Sequence, residues 1–360
     1  MAASRRPSWP TRLISWSSPP VRSKATADSD LRATRADNSS RCPAGSETLP
    51  GLLPTLLAQP SQKLHTVCLQ HWSNDVKDSP ADYLPLARQG RLSLFTLADH
   101  VTQALQATLD DFALADREPG WESVSIDTFI STFPVDAARA VHARKQKTAA
   151  FPAKVGIQGN IENGRHDFSA VFGELDRQIR TDPWAWGYEM LVQPDGGEAL
   201  YPLQAPDAPT PFELHLLGKI EHMPELPALL RSIVFFHQNL AYADFYALLA
   251  SMDVLLPAFG HKGYVEVMAS SSVPAALISR IPILATNQVT SSYSYVSGPA
   301  LVPHPNSMDP VEAIRRLRLG QDPMAAAKRS TVRASQTWEA YERELDRHNG
   351  GVWERLLSRA

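Results

Sequence analysis

The sequence predicts an α/β protein built on parallel sheets in two parts, a short N-terminal part and a fuller C-terminal one, behind a tail without regular structure. Three observations predict this. From about residue 62 onward, short apolar runs alternate with amphipathic stretches, at the spacing of βαβ units. Prolines number 29 in 360 residues, against a usual share of roughly 5 %, and punctuate many short connections. Residues 1 to 60 show no sustained hydrophobic period and are rich in Ser, Pro, Arg and Ala.

Composition bounds the rest. Apolar residues make up 43 % and charged residues 20 %, enough for a sizeable core. At about 150 residues per domain the length predicts two domains. The net charge of −3 and the sequence pI near 6.4 argue against a protein that coats nucleic acid, so no nucleic-acid partner is expected. Cys42 and Cys68 form no CxxC pair or zinc spacing and read as two reduced thiols. No uninterrupted apolar run reaches the length of about 18 residues that spans a bilayer.

Residues 1 to 60 carry eight Arg or Lys and four Asp or Glu, a balance of +4, so the remaining 300 residues sum to −7. Such a segment cannot bury enough apolar surface to offset its ordering entropy. We expect a disordered tail on a cytoplasmic protein. The weaker alternative is mitochondrial, because Arg5, Arg6, Arg12, Arg22 and Lys24 all precede the first acidic residue, Asp28, as in a transit peptide. The patch Leu49–Leu57, broken by Pro54, is too short to span a bilayer but allows a peripheral membrane contact.

The elements follow in order. Leu64–Leu69 reads as a buried strand ending at Gln70-His71-Trp72. Leu92–Leu97 reads as a second, followed by a helix capped at Asp99 with Val101, Leu105 and Leu109 on one face. Ser123–Asp127 is the third strand. Residues 135–153, with Arg139, Arg144, Lys145 and Lys147, read as a polar hinge carrying one short helix. A second series opens with the strand Lys154–Gln158 and the loop Gly159–Arg165. Asp167 then caps a helix whose Phe168, Val171, Phe172, Leu175 and Ile179 keep a 3.6-residue period. Phe212–Gly218, Ile233–Phe236, Asp253–Pro257 and Ile281–Ala285 read as strands. Helices are expected from Asp244, over Val273–Arg280 with Pro274 in the first turn, over Pro310–Leu319 and over Pro323–His348. The segments are therefore a tail at 1–60, a partial N-terminal domain with hinge at 61–150, a C-terminal domain at 151–320 and closing helices at 321–360.

Ligands of open parallel sheets bind at the carboxyl ends of the strands, so the loops there carry the candidate chemistry. Gly159, Asn160 and Arg165 lie in a loop that leads into a helix N-terminus, where glycines admit a close ligand and Arg165 offers a fork for phosphate. A purely structural turn fits the same residues. Ala269–Pro274 precedes a short helix, and free amides with the hydroxyls of Ser271 and Ser272 would cradle an anion. One of these serines could instead simply cap the helix. His71, His237 and Asn239 end strands, and Glu266 is the only carboxylate of its loop. Each could equally be structural or solvated. G-x-S-x-G, P-loop, H-E-x-x-H and G-x-G-x-x-G patterns are absent, and the only D-x-D, Asp28–Asp30, lies in the tail.

In their order, these features resemble the GT-B glycosyltransferases, specifically the large retaining family often labelled group 1 and its divergent fungal members. The likeness covers about residues 64 to 345. It rests on Val155–Arg165, on Leu214–Gly218 like an "L-x-x-x-G" strand end, and on Ile233–Asn239 with Phe245–Pro257 like "V-x-F-x-G … L-x-x-x-x-D-V-x-x-x-P". It rests also on Ala275–Thr286 like "E-A-M-A-x-G-x-P-V-x-A-T", and on Ser335–Trp338 with Tyr341 like the closing helix. The resemblance implies two Rossmann-like domains around a cleft, and sugar transfer from a UDP- or GDP-linked donor to an unknown acceptor. It implies retention of configuration and no metal or other cofactor. Arg165 would meet the donor diphosphate, with Gly159, Asn160, Gly218, Asn239, Ser271 and Ser272 around the donor. His71 would match the N-domain histidine that touches the donor sugar, and Glu266 lies one residue out of register with the first Glu of an E-x7-E motif. The chain departs from the family at Ala275, where that motif has its second Glu, and at Asn160, where Arg is common. Only about ninety residues precede the hinge, which suggests an incomplete N-terminal domain. These departures motivate a second reading, a nucleotide-sugar-binding pseudoenzyme. An epimerase of similar fold is a third.

Overall fold

The computed structural model describes residues 65–115, 119–144, 151–321 and 337–359. The tail at 1–60, Cys42, the start of the first strand at Leu64, Lys145 and Lys147, and the stretch from Pro323 to Gln336 lie outside the described residues.

Two parallel sheets organise the chain. The first has three strands in the order β1 (Thr66–Gln70), β2 (Leu92–Thr96) and β3 (Ser125–Thr128). Helices α1 (Asn74–Asp78), α2 (Pro80–Ala87) and α3 (Asp99–Ala115) connect these strands. Val101, Leu105 and Leu109 of α3 are buried, as their spacing predicts. This part has its own core, built around Tyr83, Leu86, Leu94, Leu105 and Trp121.

The second sheet has six parallel strands: β4 (Lys154–Gln158), β7 (Glu213–Leu217), β8 (Val234–His237), β9 (Val254–Leu255), β10 (Ile283–Ala285) and β11 (Leu301–Pro303). Their spatial order is β11-β10-β9-β4-β7-β8. Counted within this series, that is 6-5-4-1-2-3, the doubly wound order with a reversal between its first and fourth strands. Helix α5 (Phe168–Thr181) and the later helix α10 (Pro310–Arg318) cover one face. Helices α6 (Tyr242–Ser251) and α8 (Ser272–Ile278) cover the other. Asp167 caps α5 by accepting the amide of Ala170 at 3.0 Å, and every apolar residue of its predicted stripe is buried.

Several elements differ from the sequence reading. The strand expected at Ser123 starts at Ser125, because Trp121–Ser123 forms a single 3-10 turn. The helix expected from Asp244 starts at Tyr242. A two-stranded antiparallel hairpin, β5 (Tyr188–Val192) with β6 (Glu198–Pro202), fills a stretch that the sequence reading passed over. Its turn signal, Pro194-Asp-Gly-Gly197, was visible. Strand β11 and the short helices α7 (Gly263–Glu266) and α9 (Asn287–Ser292) were also missed; six residues or fewer carry too little periodicity to register. The short helix expected within the polar stretch at 135–153 is present. Residues Asp136–Arg144 form helix α4, which packs through Val135 and Ala138 on Tyr246 and Ala250 of α6. The closing helix α11 runs Trp338–Arg359, eleven residues past its predicted end at His348.

The two sheets share a core. Leu97, Ala98 and Val101 from the first pack with Leu255, Val273 and Tyr293 from the second. His100 is buried between them, its ring nitrogens 2.9 Å from the Ser292 carbonyl and 3.0 Å from the Met268 carbonyl. The Tyr295 hydroxyl donates to the Leu97 carbonyl at 2.7 Å.

Candidate functional site

Strand order locates the crevice. Helices leave a doubly wound sheet on opposite faces where the order reverses, and the carboxyl ends of those two strands are held apart. Here they are β4 and β9. The loops that follow are 159–167 and 256–271, and Gly159, Asn160, Arg165, Glu266 and Ser271 all lie in them.

The two loops are tied to each other. The Gly260 amide donates to the Arg165 carbonyl at 2.9 Å, and the Asp167 amide donates to the Ala258 carbonyl at 3.1 Å. Ala258 adopts φ 48° to make this crossing, a left-handed conformation that costs a non-glycine residue about 1 kcal/mol. His166 is buried between the loops, with Nδ1 3.0 Å from the Pro257 carbonyl. Burial lowers its pKa. Nothing in the sequence marked His166, because its role depends on a loop ninety residues away.

Arg165 is half-buried and forms an ion pair with Glu162 of its own loop. It also reaches Tyr264: burial raises that phenol, while the Arg165 charge and hydrogen bond oppose the rise. From Tyr264 a chain of bonds leads to the serine turn. The Tyr293 hydroxyl donates to the Tyr264 carbonyl at 2.8 Å and accepts the Ser270 amide at 2.9 Å. Arg165 and the Ser270–Ser272 turn therefore share one rim of the sheet. The tyrosines that join them were not legible as site residues, since each looked like ordinary core.

The serine turn corrects an expectation. Ser272 is 1 % exposed, and its hydroxyl donates to the Gln158 carbonyl at 2.5 Å. Its amide meets the Ser270 hydroxyl at 3.3 Å. Both groups are engaged inside the protein, so Ser272 is a tie between α8 and β4 rather than an open anion cradle. Ser271 is exposed beside it.

The glycines also answer to the backbone first. Gly218 has φ 157°, and a Cβ there would lie 1.8 Å from the Gly159 carbonyl oxygen. A Cβ at Gly159, with φ 141°, would lie 2.6 Å from His166 Nε2. The predicted close approach is real, but the partner is the chain itself. Asn160 is half-buried, and its carbonyl accepts the Glu162 amide at 3.1 Å. Glu266 ends α7 and is exposed.

His71 reaches the rim from the other sheet. Its carbonyl accepts the Ala269 amide at 2.7 Å, and two residues on, the Ser73 amide donates to the Val267 carbonyl at 3.0 Å. Trp72 and Met268 form the bridge between these bonds. Burial lowers the His71 pKa. Three buried polar atoms without a protein partner lie at the same strand ends: Gln70 Oε1, Trp72 Nε1 and Gln158 Oε1. Buried polar atoms are nearly always satisfied, and these three offer two acceptors and one donor to a water or a ligand.

Asn239 and His237 lie apart from this crevice, at the end of the edge strand β8, two strands from β4. Asn239 is an exposed turn residue with φ 55°. His237 Nε2 is 3.0 Å from His215 Nδ1, and His215 Nε2 is 3.0 Å from Glu213 Oε2. Lys154 Nζ closes the row at 2.9 Å from Glu213. Since Glu213 accepts from one nitrogen of His215, the other must accept from His237, which requires an uncharged His215 ring. Burial lowers both histidine pKa values. A histidine depressed in the folded state contributes stability that is complete above its unfolded pKa and is lost as pH falls through the folded one. Unfolding free energy should therefore drop between pH 7.5 and 5.0, and a His237→Gln chain should show a shallower drop in urea titrations. Identical slopes would remove the pair from the account.

No family model matches the sequence, and no curated protein matches it. Solved structures do match. One is a UDP-forming α,α-trehalose-phosphate synthase from Burkholderia xenovorans, with TM-score 0.50 and 10 % identity over 86 % of this chain and 71 % of that one. The chain has a GT-B fold. Two further GT-B structures lie just below that similarity. The trehalose-phosphate synthase of Burkholderia vietnamiensis has TM-score 0.49 and 10 % identity over 86 % and 71 % of the two chains. Anabaena HepE in complex with UDP-glucose has TM-score 0.48 and 13 % identity over 87 % and 77 %. In GT-B terms the six-stranded sheet is the C-terminal Rossmann-like unit, and the three-stranded sheet belongs to the N-terminal one. Among the described residues no helix is long and apolar enough to cross a membrane.

Proposed function

We propose that this chain binds a nucleotide-diphosphate sugar at the β4/β9 crevice and transfers the sugar to an acceptor still to be identified. The observation that carries the reading is that the loops bearing Arg165 and Ser271 follow the two strands at the topological reversal of the sheet, and that Gly260 and Ala258 bond one loop to the other. Phosphate-binding loops occupy that position in doubly wound sheets. The fold neighbour named as a UDP-forming synthase supports a uridine donor over a guanosine one.

The chemistry is positioning and electrostatics. Arg165 would leave Glu162 to meet the departing diphosphate. His71, at the rim of the facing sheet, would donate to the sugar. Gln158 and Trp72, whose buried polar atoms lack protein partners, would complete the donor contacts. No step needs a metal, and we propose retention of configuration.

Calorimetry with UDP and GDP tests binding. We expect Arg165→Ala to weaken UDP by about tenfold, the value of one charge-assisted hydrogen bond, and Glu162→Gln to tighten it. Binding indifferent to Arg165 would sink the assignment. Turnover is tested by UDP release from UDP-glucose, with EDTA expected to change nothing. The pairing of Arg165 with Glu162 and the engaged Ser272 favour a second reading, a protein that binds the nucleotide without transferring the sugar. Under that reading UDP binds and no donor turns over.

A further inference from the structure

A second cavity opens beside the crevice, at the carboxyl ends of β9, β10 and β11, with a volume of about 510 Å³. This falls within the range of about 300–1,000 Å³ usual for small-molecule sites. It shares Asp167 and the first half of the loop after β9, Leu256 to Val265, with the walls of the crevice. None of His71, Gly159, Arg165, Glu266 or Ser271 lines it.

The lining identifies a class of ligand. Its floor is apolar, from Leu256, Leu284 and Val289. Around the mouth stand two exposed amides, Gln288 and Asn306, and the cation Lys262. Two carboxylates also line it, Asp167 and Asp309, the N-caps of α5 and α10, with the imidazoles of His261 and His304. Each carboxylate spends Oδ1 on its helix, on the Ala170 amide at 3.0 Å and the Val311 amide at 2.7 Å. Oδ2 of each remains as an acceptor.

An apolar floor under a ring of amides and carboxylates suits a ligand with a flat C–H face and hydroxyls on its edges. Two carboxylates with one lysine disfavour an anion. A wholly apolar ligand would leave the polar rim desolvated and unpaired. We infer that this cavity binds a neutral polyhydroxylated ring, a sugar of one or two units. The inference stands on the chemistry of the cavity and does not require the transfer reading.

Saturation-transfer NMR and equilibrium dialysis on the full chain test it, with methyl α-glucoside, maltose and glucose 6-phosphate as probes. The neutral sugars should bind saturably, and at least as tightly as the phosphorylated one. A Gln288→Ala/Asn306→Ala double variant should weaken maltose about tenfold, by loss of two exposed hydrogen bonds. Its unfolding transition should match that of the parent, since both side chains are exposed. Asp309→Asn keeps the cap and removes a charge, so glucose 6-phosphate should then gain on maltose. Excess UDP and Arg165→Ala should both leave maltose binding unchanged, which separates this cavity from the crevice. Failure of the neutral sugars to bind, displacement by UDP, or indifference to the double variant would each overturn the inference, whatever the outcome for the crevice.

Discussion

Gly218→Ala will unfold the chain or bring it close to unfolding. The added Cβ would stand 1.8 Å from the Gly159 carbonyl oxygen, and the next contact, the Gly159 carbonyl carbon, is at 2.7 Å. Both are backbone atoms, so no side chain can swing away. The Gly159 amide is itself held by the Leu217 carbonyl at 3.0 Å, and the Gly218 amide by the His237 carbonyl at 2.9 Å. Relief therefore means parting the ends of β4, β7 and β8. We expect a loss of about 4 kcal/mol or more, the upper range for strain imposed on a packed backbone. Gly173→Ala is the matched control. Gly173 is exposed in the middle of α5, with nothing within 4 Å of a built Cβ. There the same substitution should add about 0.5–1 kcal/mol, because alanine restricts the unfolded chain and favours the helix. Urea titrations of the two variants should move in opposite directions. A Gly218→Ala chain with a parental midpoint would mean that the two loops do not meet as described.

Arg318→Met should be nearly as damaging. Arg318 is 6 % exposed in α10 and has no carboxylate bonded to it. Its guanidinium donates to three carbonyls: Ala185 at 2.9 Å, Pro152 at 2.8 Å and Thr210 at 2.7 Å. It also lies over the Trp186 and Phe212 rings, 5.8 and 5.6 Å from their centroids. Burial pushes its pKa down to about 10, which still leaves it charged at neutral pH. One side chain thus joins α10, the segment before β4 and the strap from β6 to β7. Methionine fills the space and orphans all three carbonyls. At about 1–3 kcal/mol for each buried group left unpaired, partly relieved by entering water, we expect a loss of about 4 kcal/mol. Arg318→Lys should recover less than half of that, because an ammonium cannot match three acceptors spread around a planar fork. A loss under about 1 kcal/mol for the methionine variant would mean that water already serves those carbonyls.

Arg318 also shows where sequence reasoning stopped. It reads as one more basic residue in the last turn of a surface helix, where cations are ordinary. Only the packing of Trp186 and Phe212 around it makes it a structural centre. Tyr293 is similar. Its apolar ring places it in the core, but its hydroxyl bonds to Ser270 and Tyr264 make it a clasp within the loop that follows β9. His166 stands next to Arg165 in the sequence, but only the approach of Pro257 and Gly159 to its ring shows what it does. At Gly159 and Gly218 the sequence reading expected a donor nearby, and the structure shows the chain itself packed against both. A glycine records that something comes close, and not whether that is a ligand or the chain itself.

Local pattern determined what local physics can determine: the helix capped by Asp167, the strand before Gly159, the parallel α/β character, and which loops follow which strands. These depend on periods of two and 3.6 residues and on caps a few positions away. Tertiary structure decided the order of the six strands, and with it the place where the sheet reverses. It also decided whether each polar group there is open to a ligand or already occupied, as Ser272 is by the Gln158 carbonyl. Strand order and hydrogen-bond partners are contacts between residues as much as a hundred or more positions apart, as between Gln158 and Ser272. The energies that select them belong to pairs of distant segments, and no single stretch of sequence carries them.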